Sequence, residues 1–126
     1  MSGWTDATCN AILDDQLGTA VRTAPTAPMK LALETAAGTG ATAGTEGTGY
    51  TRPTIAFTAA ASKQAPNSGA LTVPVSVAQT FTAVAIYDSA AAPVRKAWGP
   101  LSAPRTVAAG DSLAFAAGSV VVTQTN

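Results

Sequence analysis

After its first eighteen residues this chain does not hold a helical period again. Apolar residues recur at alternate positions in short runs, and glycine, proline or asparagine interrupts each run. Runs of this kind occupy residues 29–35, 54–58, 70–75, 80–87, 94–101 and 105–107, with a closing stretch over 106–125. The clearest is 80–87, Thr-Phe-Thr-Ala-Val-Ala-Ile-Tyr, in which a strand would place one set of side chains inward and the other outward. Short strands without interleaved helices cannot build a parallel sheet, which needs helical crossovers. The expected class is therefore all-β: an antiparallel β-sandwich or jelly-roll-like domain of about seven strands, preceded by a short N-terminal α-helix.

The closing stretch carries two Ala-Ala-Gly turns, at 108–110 and 116–118. Leu113 and Phe115 alternate with small residues, and Val120, Val121 and Val122 favour extended backbone through their stiff χ1. The segment reads as a hairpin. The helix is expected over residues 5–18, with Thr5 as its cap, Asp6 beside the positive end of the dipole, and Gly18 ready for the left-handed residue after the last turn. Cys9, Ile12, Leu13 and Leu17 recur at helical spacing and form an apolar stripe. The stripe is expected to pack on the helix's own domain, with docking on a neighbouring subunit as the alternative. Residues 19–28 hold two prolines three apart and read as a connector; residues 36–49, with five glycines, read as a long, exposed and mobile loop.

A chain of 126 residues suffices for one domain with a core of its own. Seven Lys and Arg balance seven Asp and Glu, and only 11% of residues are charged, which disfavours nucleic acid and anionic membranes as partners. Sparse charge also suits a surface covered by other subunits. The opening residues lack a basic and then apolar leader, and no run approaches the length of a membrane span, so a soluble chain is expected.

Few residues could carry chemistry. There is no histidine, which removes the commonest general base and the usual catalytic triads. Asp14 and Asp15 are adjacent on the helix and point about 100° apart, so they cannot converge on one substrate. Cys9 is the only cysteine, which excludes an intrachain disulfide and a multi-cysteine metal site, and on the apolar stripe it reads as a small core residue. The glycines of 38–49 lack the Gly-Lys-Ser/Thr ending of a phosphate loop, and Asp88 and Asp111 suit turns without calcium. No catalytic, metal or cofactor-binding residue is assigned. The candidates are interface residues: Trp4 ahead of the helix, Ile12, Leu13 and Leu17 on it, and Tyr50 and Arg52 at the end of the glycine-rich loop, with Trp98 a third large aromatic.

Several phrases, in order, resemble a family of small tailed-bacteriophage structural proteins variously described as tail fibre, minor tail or head decoration proteins. They are the helix at residues 10–18, the strand at 29–35, Gly-Thr-Gly-Tyr-Thr-Arg at 47–52, Asn67-Ser68 before a strand, Val-Ala-Ile-Tyr-Asp at 84–88, and the turn-strand-turn at 109–118. The Pro-rich connector, and Pro53 at a strand start, depart from the pattern. The resemblance implies a virion structural protein with no catalytic residues to carry over and no cofactor, assembled in the bacterial cytoplasm. Its partners would be the major capsid protein or other virion proteins, and copies of itself, a trimer being the expected assembly. A small chain without a shaft or coiled coil, bearing a helix that could dock on a shell, suggests a decoration or minor capsid protein stabilising the head. The alternative is a minor tail or tail-fibre component with a receptor- or carbohydrate-binding role.

Overall fold

The computed structural model describes residues 3–21 and 23–124. Along the chain run β1 (Gly3–Trp4), α1 (Asp6–Gln16), β2 (Met29–Ala36), β3 (Thr45–Glu46), β4 (Thr54–Ile55), β5 (Gln64–Pro66), β6 (Leu71–Pro74), β7 (Gln79–Tyr87), β8 (Arg95–Val107), β9 (Ser112–Phe115) and β10 (Val121–Thr123). The fold is mainly β, and its ladders are antiparallel. One six-stranded sheet has the order β1-β8-β7-β2-β3, with β4 also paired to β2; β5–β10 and β6–β9 form two separate two-stranded ribbons. The main sheet does not close into a barrel.

The core lies between the main sheet and the ribbons. Leu31, Leu33, Val84 and Ile86 from β2 and β7 meet Val73 and Val75, Leu113 and Phe115, and Val122 from the other layer, with Phe81 fully buried among them. Alternation along β2 and β7 does this sorting. Leu31 faces Ile86 and Leu33 faces Val84 across the ladder, while Ala32, Glu34, Ala83 and Ala85 share the opposite face.

The helix obeys its caps. Thr8 N–H donates to Thr5 Oγ1 at 3.3 Å, and Gly18 takes φ +72° after the last turn. Its expected stripe is split: Ile12 is partly buried and faces the core, whereas Leu13 and Leu17 are 56% and 73% exposed, and Cys9 is exposed rather than in the core. The physical reason is that hydrogen bonds at one end fix the helix. Trp4 pairs with Ala97, Thr5 N–H donates to Lys96 O at 2.8 Å, Thr5 Oγ1 donates to Arg95 O, and Asp6 N–H donates to Gly40 O at 3.0 Å. These bonds turn Ala7, Thr8, Ala11 and Ile12 inward, and the leucines lie about half a turn away.

The closing hairpin is also corrected. Its two strands form but do not pair with each other: β9 pairs with β6, and β10 pairs with β5. The runs expected at 94–101 and 105–107 are one strand, β8, which bulges between Pro100, opposite Ala83, and Arg105, opposite Phe81. Pro104 sits in that bulge, and the outer side of β8 beyond Trp98 has no strand partner among the described residues. Proline offers no donor, so bulge and edge are where a strand tolerates it. The run at 54–58 shortens to β4, with Phe57 bridging to Asn67, and Pro53 does not block pairing there, since its carbonyl accepts from Leu31 N–H.

The glycine-rich segment is largely exposed, as expected, but is tied to the sheet at several points. It contributes β3 to the sheet edge, and Gly47 N–H donates to Leu33 O. A side chain at Gly44 would strike the Ala36 carbonyl and Glu34, and one at Gly47 would strike the Phe81 ring.

Candidate functional site

The interface candidates separate into three places. Tyr50 and Arg52 belong to an internal polar cluster. Arg52 makes a two-pronged bond to Glu46, Nε to Oε2 at 2.9 Å and Nη2 to Oε1 at 2.6 Å, and its guanidinium lies 3.9 Å from the Tyr87 ring centroid. Tyr50 accepts from Leu33 N–H at 2.7 Å and donates to Glu46 Oε2 at 2.5 Å, with its ring edge-on to Phe81. These groups tie the glycine-rich segment to the sheet, and Tyr50 remains partly exposed.

Next to them Glu34 is 1% exposed on β2, and Arg95 on β8 donates through Nη2 to Thr39 O. Glu34 Oε1 and Arg95 Nη1 have no hydrogen-bond partner. Burial pushes the Glu34 carboxyl above its ordinary range, offset by Arg95 and by the backbone N–H of Gly44. The Arg52 bonds hold Glu46 below the ordinary range, and burial, with Glu46 as acceptor, holds the Tyr50 hydroxyl above its own.

The two carboxyls therefore act oppositely on stability. Glu46 contributes stability above its unfolded pKa that is lost as pH falls through its lowered folded value. Glu34 favours the fold most below its unfolded pKa, and that contribution is lost as pH rises through its raised folded value. Glu34→Gln should flatten the fall in stability on the alkaline side of the ordinary carboxylate range and raise stability at neutral pH relative to the parent. Urea midpoints measured from about pH 4 to 8 check this, and an unchanged slope would contradict it.

Trp4 and Ile12 occupy a second place. With Ala7, Ala11, Met29 and Phe57 they line an apolar cavity of about 340 Å³ between α1 and the core. Trp4 is half-buried against the core, and its indole N–H is buried without a partner. Leu13 and Leu17 form the third place, the solvent side of α1, flanked by Asp6 and Asp14. Because Leu13 touches no core, Leu13→Ser should change folding stability by about 0.5 kcal/mol or less in chemical denaturation; a loss near that of a core leucine would mean the face is covered within the domain. Trp98 is half-exposed and stands outside the core cluster.

Sequence reasoning missed Glu34, Glu46 and Arg95. Only the unusual placement of Glu34 within an apolar alternating run could have signalled the first. Among the described residues no group of three or more acidic, histidine or cysteine side chains could hold a metal, and no helix is long and apolar enough to cross a membrane.

Fold and site define a mainly β domain that carries a helix on its rim, with Leu13 and Leu17 outward, and spends its polar cluster on internal bonds. The chain belongs to the family of podophage GP4 fiber I protein gp80, whose family model matches residues 3–123. It is a tailed-phage structural protein, a component of the virion. Comparison with curated proteins finds no match.

Proposed function

We propose that this chain is a non-enzymatic subunit of the phage tail fibre, mounted at the tail rather than on the head shell. The observation that carries this reading is the match to a fibre protein over residues 3–123, which spans the helix and all ten strands. The head-decoration expectation rests on size and on a helix that could dock; Leu13 and Leu17 are exposed on that helix, but the family match favours the fibre. A non-enzymatic role is supported by the absence of histidine and by the use of Glu46, Tyr50 and Arg52 in holding the fold together.

Quantitative mass spectrometry of purified virions, with the major capsid protein as reference, tests the location. A fibre subunit should be present at a small fraction of the capsid protein's copy number, and near-equal stoichiometry would return the chain to the shell. Within the fibre reading, Trp98 is the aromatic best placed to meet a host carbohydrate, since Tyr50 is committed internally and Trp4 faces the cavity. Glycan-array binding that survives Trp98→Ala would rule that residue out.

A further inference from the structure

The first turn of α1 holds the helix over the core without letting it close down. Trp4 pairs with Ala97, Thr5 N–H donates to Lys96 O, and Asp6 N–H donates to Gly40 O. The side chains that follow on the inner side, Ala7, Thr8 and Ala11, are too small to fill the space beneath, which leaves the cavity of about 340 Å³. Met29, Phe57 and Ile86 border it from the body, and Pro25 borders it from the connector, which is held by a 2.9 Å bond from Ser89 N–H to Thr26 O. The cavity is therefore preformed and almost wholly apolar, as small-molecule sites are.

Two donors stand at one corner of it. Lys96 is the single charged residue bordering the cavity among the described residues, and no acid there pairs with it: Asp88, on the turn between β7 and β8, gives its Oδ1 to the N–H groups of Ala90 and Val94. The indole N–H of Trp4 can only donate, and it is buried without a partner. The β1–β8 register sets these residues in neighbouring positions, since Trp4 pairs with Ala97 and Thr5 N–H bonds to Lys96 O. The Thr8 hydroxyl is already bonded to Thr5. A cation beside a bare N–H suits a carboxylate, and the remaining walls suit hydrocarbon. An apolar cavity of about 150 Å³ takes one benzene, so this one has room for roughly ten to twelve carbons, one short chain rather than the two chains of a bilayer lipid.

We propose that the cavity beneath α1 binds a single-chain medium-length carboxylate, its tail between Ala11, Met29, Phe57 and Ile86 and its carboxylate at Lys96 and the Trp4 N–H. The helix needs no displacement to admit it, because the space exists already. Filling the cavity adds contacts between α1 and the body, so bound ligand should raise the Tm of the chain.

Isothermal titration calorimetry of the full chain with sodium decanoate, below its micelle-forming concentration, tests the site, and circular dichroism verifies that each variant is folded. The parent should bind one equivalent with a negative heat-capacity change. Butanoate, six methylenes shorter, should bind at least about a hundredfold more weakly. Ala11→Phe, which fills the cavity, should abolish binding, and Lys96→Glu, which leaves the walls intact, should weaken it by about tenfold or more. Leu13→Ser, on the outer side of the helix, should bind as the parent does. A parent that fails to bind decanoate at millimolar concentration, butanoate binding as well as decanoate, or affinity unchanged by Lys96→Glu or by a folded Ala11→Phe would each overturn the proposal. Binding to phosphatidylglycerol vesicles without binding to decanoate would overturn it in favour of a membrane surface. The site lies within one chain, so these results stand wherever copy number places the protein in the virion.

Discussion

Phe81→Ala should cost about 3 to 5 kcal/mol, seen as a lower urea midpoint and a fall in Tm on the order of 10–20 °C. Phe81 is fully buried near the middle of the core, its ring meets Tyr50 edge-on with centroids 6.1 Å apart, and it carries the backbone of Gly47 against its edge. Removing the ring leaves a hole that the layers cannot close, because β7 is held by ladders on both sides. It also withdraws the support beneath Tyr50 and the glycine-rich segment, so protection of those amides from hydrogen exchange should fall more than protection of β9. Set against a typical domain stability of about 5–15 kcal/mol, this substitution consumes much of the margin. Phe81→Leu, which keeps most of the volume, should cost less than half as much, and equal costs for the two would show that the ring's shape matters rather than the hole.

The second large effect is expected at Asn67, 2% exposed at the end of the β5 turn. Its Oδ1 accepts from Val120 N–H at 2.9 Å, and its Nδ2 donates to Gly69 O at 2.7 Å and Ala116 O at 3.2 Å. Its backbone N–H donates to Val120 O and its carbonyl accepts from Gly118 N–H, so a single residue joins two distant turns. Asn67→Ala leaves a buried N–H and two carbonyls without these partners, which should cost about 2 to 4 kcal/mol. Asn67→Asp is the sharper test. One carboxylate oxygen can still accept from Val120, but the other would face two carbonyl oxygens, which raises the folded-state pKa. The variant should then be most stable in acid and lose stability as pH rises through that raised value. A flat pH profile for Asn67→Asp would show that the site is open to water.

Much of the fold is legible because local chemistry sets it. Thr5, Asp6 and Gly18 mark the helix ends through capping, and alternation in residues 80–87 identifies β7 and its buried face. The unread strands are β1, β3 and β5, which are two or three residues long and have no period to detect. The closing turns at Gly110 and Gly118 show where the chain reverses but not which strand it meets. The β6 and β5 partners are fixed by layer packing and by Asn67, more than fifty residues away from Val120. The orientation of the helix is not legible for a related reason: apolar spacing marks Ile12, Leu13 and Leu17 alike, whereas bonds from Thr5 and Asp6 to β8 and Gly40 decide that Ile12 turns inward and the leucines do not. The Glu46, Tyr50 and Arg52 cluster was half legible, as two of its members stood out as a tyrosine and arginine closing a loop. Their bonds to Glu46 are not legible, because β3 is two residues long and without it Glu46 has no position.

The bulge and prolines of β8 have a consequence for how such chains can fail. An open sheet edge is a template on which identical chains can add strand upon strand until they form a fibril. On β8 the open edge is bent by the bulge and interrupted by Pro100 and Pro104, which offer no N–H to an arriving strand. Along this edge a strand arriving from another chain would meet gaps in the row of N–H groups, so open-ended backbone pairing is opposed there.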